Sequence, residues 1–353
     1  MRRVEASAPG KVVLIGEYAV LHGAPALVMA VNRRARVEVW ACPAHACRVE
    51  AAQLDASPVP FACASDGTVR WSDPAAARPE FAFCRDLIER NLRQEAGVLD
   101  QARGMSLTID TAELYGQLEG DPIKLGLGSS AAVSVALSAA VRAFLRGSRE
   151  RPGVDELLAG YRQGQGGHGS GIDLAASLAG GVFSYRLLES GPEIEPLAWP
   201  PDWPLLFVWT GQPAATGAFL QRYVSWRAAH PKAANALFDQ MADCVRHAQA
   251  AVHTGDLEAG MICVNNYRIL MGKIGSLIHA PVITPEHAEL AEQVAAVGAA
   301  YKPCGAGGGD LGMVLAARPE QLAAARARIR KRGFQILDLG PAVTGLELSI
   351  NEH

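Results

Sequence analysis

The stretch Lys124-Leu-Gly-Leu-Gly-Ser-Ser-Ala-Ala-Val133 carries a glycine-rich turn straight into a helix of small residues that reaches to about Phe144. Gly126 and Gly128 can take turn angles closed to other residues, and they carry no side chain that would hold an anion away from the backbone. Ser129 and Ser130 open a helix whose first-turn amides have no intrahelical acceptor and whose dipole places partial positive charge at this end. A phosphate suits such a place. The two serines are also ordinary N-cap residues, so the stretch by itself reads equally well as a capped helix after a loop. The rest of the chain has to decide between these readings.

A chain of 353 residues exceeds what one core usually organises, so two domains or two intimate lobes are expected. Apolar residues make up 49% and charged residues 20%, the balance of a globular soluble protein. The formal charge of -3 gives no long-range attraction to nucleic acid. The densest basic run, Arg326 to Arg332, is interleaved with alanine and isoleucine like the solvated face of a late helix. Seven cysteines, never spaced C-x-x-C, disfavour both a disulfide framework and a zinc site. The N-terminus lacks the apolar region of a signal peptide, and no apolar run reaches membrane-spanning length without polar interruption, which points to the cytoplasm with no membrane or nucleic-acid partner.

Working outward from the loop, Val4 to Ser7 and Val12 to Ile15 read as strand, joined by Ala8-Pro-Gly-Lys11. Ala26 to Val31 and the alternating Arg34 to Trp40 continue an early antiparallel sheet. Residues 43–79 are rich in Ala, Pro, Ser and Asp and read as irregular with short strands. Phe81 to Ala96 is helical, with Gly97 placed to end it, and Met105 to Thr111 is a strand feeding the loop. A helix over Asp155–Gln163 leads to a second glycine-rich run, Gly164 to Gly171, opening another helix at Ile172-Asp-Leu-Ala-Ala176. Leu205 to Thr210 is a short buried strand, and 214–271 is helical, broken at His230-Pro231 and Gly255-Asp256. Thr284-Pro-Glu286 starts a helix with a cap and an N1 proline. A third glycine loop, Lys302-Pro-Cys-Gly-Ala-Gly-Gly-Gly-Asp310, precedes strand Met313–Ala317, helix Glu320–Arg330 and strands Gln335–Leu339 and Gly345–Leu348. The Pro-rich segment from Tyr185 to Trp203 suggests a division into an N-terminal lobe of residues 1–190 and a C-terminal lobe of residues 191–353.

Three glycine loops spread over most of the chain exceed what turns require, since one turn uses one or two glycines and Gly305 to Gly309 supplies four. Close backbone approach to a ligand explains them economically. A Walker A motif, a Rossmann fingerprint and a hydrolase elbow are all absent. The three segments, Ser7-Ala-Pro-Gly-Lys-Val-Val-Leu-Ile-Gly-Glu-Tyr-Ala-Val20, Gly126-Leu-Gly-Ser-Ser-Ala-Ala132 and Lys302 to Asp310, resemble in order the three motifs of the GHMP small-molecule kinase superfamily. The resemblance implies an α+β fold, with an N-terminal lobe like ribosomal protein S5 domain 2, a ferredoxin-like α/β C-terminal lobe, and ATP between them. Within the superfamily the chain is similar to phosphomevalonate kinases at Lys124, at Gly169-Ser-Gly-Ile-Asp-Leu-Ala-Ala176, at Val208-Trp-Thr-Gly-Gln-Pro-Ala214 and at Asp310. It resembles mevalonate kinases at Glu17-Tyr-Ala-Val-Leu-His-Gly23. A diphosphomevalonate decarboxylase and other GHMP kinases are the more remote alternatives.

The resemblance implies roles for named residues. Lys11 and Asp173 are the catalytic pair. Lys124, Gly126, Leu127, Gly128, Ser129, Ser130 and Ala131 hold the nucleotide, with Mg2+ on Ser130; Glu156 is the nearest upstream carboxylate, at an unusual spacing. Glu17, Tyr18, His168, Gly169, Ser170, Gly171, Gly305, Ala306, Gly307 and Gly308 face the substrate, phosphomevalonate or mevalonate. Each has a plainer reading: Lys11 solvated, Asp173 a helix cap, Trp209 a core residue, Cys304 merely small. A phosphorylated acceptor requires further cations, for which Lys124, His168, Arg33 and Lys302 are the candidates. Monomer and homodimer both stay open.

Overall fold

The computed structural model describes residues 2–42, 47–51, 58–72, 79–95, 104–118, 120–164, 169–214 and 216–352. It opens with two long strands, β1 (Arg2–Ile15) and β2 (Ala26–Ala41), paired antiparallel along their lengths with a bulge at Pro9/Gly10. Along β2, Ala35, Val37 and Val39 are buried while Arg36 is exposed, the two-residue alternation of a sheet with one face on the core. The segment expected to be irregular holds short strands β3 (Cys47–Ala51), β4 (Val59–Cys63) and β5 (Val69–Trp71). Helix α1 (Pro79–Gln94) and strand β6 (Met105–Asp110) follow. The residue expected to end α1, Gly97, lies outside the described residues.

A hairpin of β7 (Tyr115–Leu118) and β8 (Asp121–Lys124) delivers the chain to α2 (Ser129–Arg146). This helix is apolar enough to pass for a membrane span, yet 83% of it is buried in the protein. Its alanines and serines let it lie close against β1 and β2, and α1 covers its other side. Helices α3 (Val154–Gly164) and α4 (Ile172–Ala179) and the hairpin β9 (Val182–Leu188) and β10 (Gly191–Pro196) complete this half.

The second half begins at β11 (Leu205–Trp209), continues through α5 (Thr216–Ala229), α6 (Pro231–Thr254), α7 (Leu257–Leu277) and α8 (Pro285–Ala295), and then places β12 (Ala300–Pro303) and β13 (Leu311–Leu315) around the third glycine loop. Helix α9 (Pro319–Lys331) and strands β14 (Gln335–Leu337) and β15 (Glu347–Glu352) end it. The helix breaks fall where His230-Pro231 and Gly255 were read, and Thr284 caps α8 through its hydroxyl.

Two main sheets result. The first runs β10-β9-β2-β6-β3-β4-β5, with β1 along the other edge of β2 and β15 on β1. The second is antiparallel in the order β12-β13-β11-β14, the split β-α-β arrangement of a ferredoxin-like layer. Strands on both sides of residue 190 pair in one hairpin, and β15 returns from the far end of the chain to β1, so the first sheet draws on residues beyond the expected lobe division. One apolar cluster runs continuously from the first sheet and α2 through α6 and α7 to the second sheet.

Candidate active site

Strand β1 runs directly beneath the second glycine loop. The Lys11 N–H donates to Leu127 O at 2.8 Å, and a Cβ on Gly10 would lie 2.6 Å from that same oxygen. Glycine is required there because two backbones touch. The Lys11 side chain is thereby set beside Gly128, with its Cγ and Cε 3.4 Å from the place a Gly128 Cβ would occupy and Asp173 Cβ 3.7 Å from it. Lysine and aspartate, far apart in sequence, thus flank one glycine.

The N-cap of α2 is Gly128 itself, in the left-handed region at φ 78°, and no side chain caps the helix. The serine-capped alternative therefore does not describe this end. First-turn amides without a side-chain acceptor are what an anion cradle needs. The same device recurs at α4, whose N-cap is Gly171 at φ 76°, again with no side-chain cap. Asp173 sits inside that first turn and is not the cap: Tyr161 Oη donates to its Oδ2 at 3.0 Å, and Leu174 N–H donates to its Oδ1 at 3.1 Å. Burial, and then the Asp173 charge, push the Tyr161 hydroxyl pKa well above its ordinary range, so it remains a donor.

The third loop closes over the first segment through buried polar contacts. Glu17, 5% exposed, accepts from the Lys302 ammonium at 2.7 Å and from Gly305 N–H at 3.0 Å, while Tyr267 Oη donates to its carbonyl at 2.6 Å. Tyr18, held at φ 63°, donates to Ala306 O at 2.6 Å. Asp310, also at positive φ (55°), presses its carboxylate onto Gly126, where a Cβ would lie 2.6 Å from Oδ2. Cys304 is buried beside these groups, and burial pushes its thiol up to about 12, too high to be a thiolate.

A cleft of about 520 Å3 forms where the three loops meet. Lys11, Glu17, Tyr18, Lys124, Gly126 to Ser130, Gly169 to Gly171, Asp173, Gly305 and Ala306 line it. Ala131 is buried inside α2 instead. Gly307 and Gly308 do not line the cleft; Cβ atoms there would strike Val282 Cγ1 at 2.8 Å and Phe219 Cζ at 2.6 Å, so these glycines admit protein neighbours. His168 lies outside the described residues.

Among the proposed extra cations, Lys124 lines the cleft, whereas Lys302 is fully buried on Glu17 and Arg33 is not part of the lining. Glu156, the nearest upstream carboxylate, pairs with Arg142, which holds its carboxyl below the usual range, on a network with Asn91 away from the cleft. Trp209 is a core residue at 3% exposure and is absent from the lining. Sequence reading missed Tyr161, Pro213 and Leu220, which line the cleft, and gave Asp310 no role. Nothing in the local pattern marks Tyr161; its spacing from Asp173 becomes meaningful only when α3 and α4 pack together.

The residues 86–181 match the profile of the GHMP kinases N terminal domain. Over 382 aligned residues the chain is 31% identical to the phosphomevalonate kinase of Streptomyces sp. strain CL190, covering 98% of this chain and 99% of that one. It is 29% identical to the mevalonate kinase of Thermococcus gammatolerans, over 90% of both chains. Its fold superposes with a TM-score of 0.73 on Streptococcus pneumoniae phosphomevalonate kinase solved with phosphomevalonate and AMPPNP, at 21% identity and covering 96% of this chain and 99% of that one.

Proposed function

This chain belongs to the GHMP kinases, a family of phosphotransferases, within the group of phosphomevalonate and mevalonate kinases, and we propose that it transfers the γ-phosphoryl group of ATP to 5-phosphomevalonate to give 5-diphosphomevalonate. The observation that carries this reading is the placing of Lys11 and Asp173 together beside Gly128, the uncapped start of α2. Phosphoryl transfer asks a protein mainly for position and charge neutralisation. The amides at Gly126 to Ser130 receive the phosphates of ATP, the Lys11 ammonium meets the charge that spreads over the transferring group, and Asp173 orients the acceptor. Tyr161 holds one oxygen of Asp173, which fixes the carboxylate in place.

The donor set suits a Mg2+ that arrives on the nucleotide. The Ser130 side of the cleft offers a hard hydroxyl oxygen, and among the described residues no group of three His, Cys, Asp or Glu stands ready to hold a bare ion. When bound, the metal would add neutralisation of the nucleotide's phosphate charge.

The acceptor decides what Asp173 has to do. A phosphate acceptor is mostly ionised above a second pKa of about 6 and needs no strong base, whereas the alcohol of mevalonate must lose a proton. The Streptomyces relative, matched end to end, supports the phosphate. One observation favours mevalonate as the second reading: Lys302, a candidate for the acceptor phosphate, is consumed by Glu17. ADP release measured over mevalonate, 5-phosphomevalonate, homoserine and common sugars separates these, with carbon dioxide release reporting a decarboxylase. The highest kcat/KM is expected with 5-phosphomevalonate; turnover of mevalonate alone would transfer the assignment to the alcohol.

A further inference from the structure

Helix α7 turns one face inward. Val264, Tyr267, Met271 and Ile274 are buried there, and Tyr267 Oη reaches the Glu17 carbonyl at 2.6 Å. A helix that meets solvent on its other side ordinarily carries polar residues there. Helix α7 departs from this: of the five large apolar side chains left exposed among the described residues, Ile262 at 54%, Ile269 at 50% and Leu277 at 42% all belong to it. Contiguous exposed apolar surface marks a place where something docks.

The order of residues along that face says what docks. At 3.6 residues per turn, Glu258, Ile262, Asn266, Ile269 and Lys273 fall in one stripe about 80° wide, and all five are exposed. Followed from either end, the stripe has the same pattern of charge, isoleucine, asparagine, isoleucine and charge, and the two end charges are opposite. Laid antiparallel against its own copy, it sets Glu258 of each chain opposite Lys273 of the other and Ile262 opposite Ile269, with the two Asn266 residues beside the two-fold axis. A parallel pairing would set Glu258 on Glu258 and Lys273 on Lys273, which repulsion between like charges disfavours. A groove of about 750 Å3 between α6 and α7 opens along the same face, lined by Asp243 and His247 from α6 and by Ile262, Ile269 and Lys273 from α7, and gives the second helix a seat.

We propose that α7 is the interface of a two-fold homodimer, in which the stripe from Glu258 to Lys273 packs antiparallel on the same stripe of a second chain. Burial of the isoleucines holds the two copies together. The Glu258 and Lys273 charges set direction and register, and the Asn266 pair, a polar group in an apolar seam, disfavours slipped pairings. The inference stands apart from the proposed function, because none of these five residues lines the cleft.

The test is the mass of the 353-residue chain in solution, by sedimentation velocity and by light scattering after size exclusion. The wild type is expected at twice the mass of one chain. Ile262→Glu together with Ile269→Glu places carboxylates in the seam and should give the single-chain mass. Both positions are half exposed within one chain, so circular dichroism should be unchanged. Should that variant fail to fold, charge exchange at the exposed ends carries the test. Glu258→Lys and Lys273→Glu should each weaken dimerisation by about tenfold, since every pairing occurs twice and turns from attraction to repulsion. The two substitutions combined should recover most of that loss. A wild type of single-chain mass would overturn the inference and leave the face to another occupant. So would a dimer that survives the paired isoleucine substitutions in a folded variant, or single charge reversals that the exchange does not rescue.

Discussion

Asp173 carries the sharpest consequence at the scale of single residues. With a phosphate acceptor its work is orientation, so Asp173→Asn is expected to slow turnover a few-fold to about a hundredfold; for an alcohol the loss would approach ~10⁴. Steady-state rates of that variant on both substrates report which applies, and a dead variant on 5-phosphomevalonate would count against the phosphate reading. Lys302 makes a different kind of prediction, because both it and Glu17 are buried and joined at 2.7 Å. Lys302→Met strands a buried carboxylate, one of whose oxygens, Oε2, already has no hydrogen-bond partner, and should lower stability by about 3–5 kcal/mol. Glu17→Gln combined with Lys302→Met should recover much of that in urea unfolding. Lys11 and Asp173 were legible from the chain through their motifs. Lys302 was misread because it opens the segment that holds the third glycine loop, whereas its partner is 285 residues away.

At the scale of elements, the third loop is anchored by α8. His287, fully buried, donates from Nε2 to Gly309 O at 3.0 Å, and in its neutral form its Nδ1 accepts from Tyr301 Oη at 2.7 Å. Burial lowers its pKa from 6.5 to about 4. Between those values the unfolded chain binds a proton that the folded one refuses. The His287 contribution to stability is therefore intact above pH about 6.5 and is lost as pH falls, by about 2 kcal/mol at pH 5. Urea midpoints at pH 7 and pH 5 should show that loss, and His287→Gln should flatten it. The start of α2 gives a second element-scale prediction. Gly126→Ala at φ 75° would drive a methyl group into the Asp310 carboxylate, so turnover and AMPPNP binding should both fall, with circular dichroism unchanged. The existence of these elements was readable because helix and strand periodicity, proline and glycine act over a few residues.

For the whole molecule, β1 is the shared member: it pairs with β2 and β15, supports the second loop through Lys11, and leads to Glu17 and Tyr18, which grip the third loop. Ligand between the loops should stabilise all of it together. AMPPNP at about a hundred times its Kd is expected to add about 2.7 kcal/mol, read as a rise in Tm in a thermal scan, and Lys11→Met should abolish most of that rise. What the sequence by itself determined are the features set by near neighbours: three glycine loops, the small-residue helix behind the second, the order of strands and helices, and the family those motifs share. What only the tertiary structure decided is which groups meet: Asp310 on Gly126, Lys302 on Glu17, Tyr161 on Asp173, and the packing of Gly307 and Gly308 against protein where ligand was expected. Backbone propensities act locally along the chain, whereas burial and charge pairing depend on distances through space that no local pattern encodes.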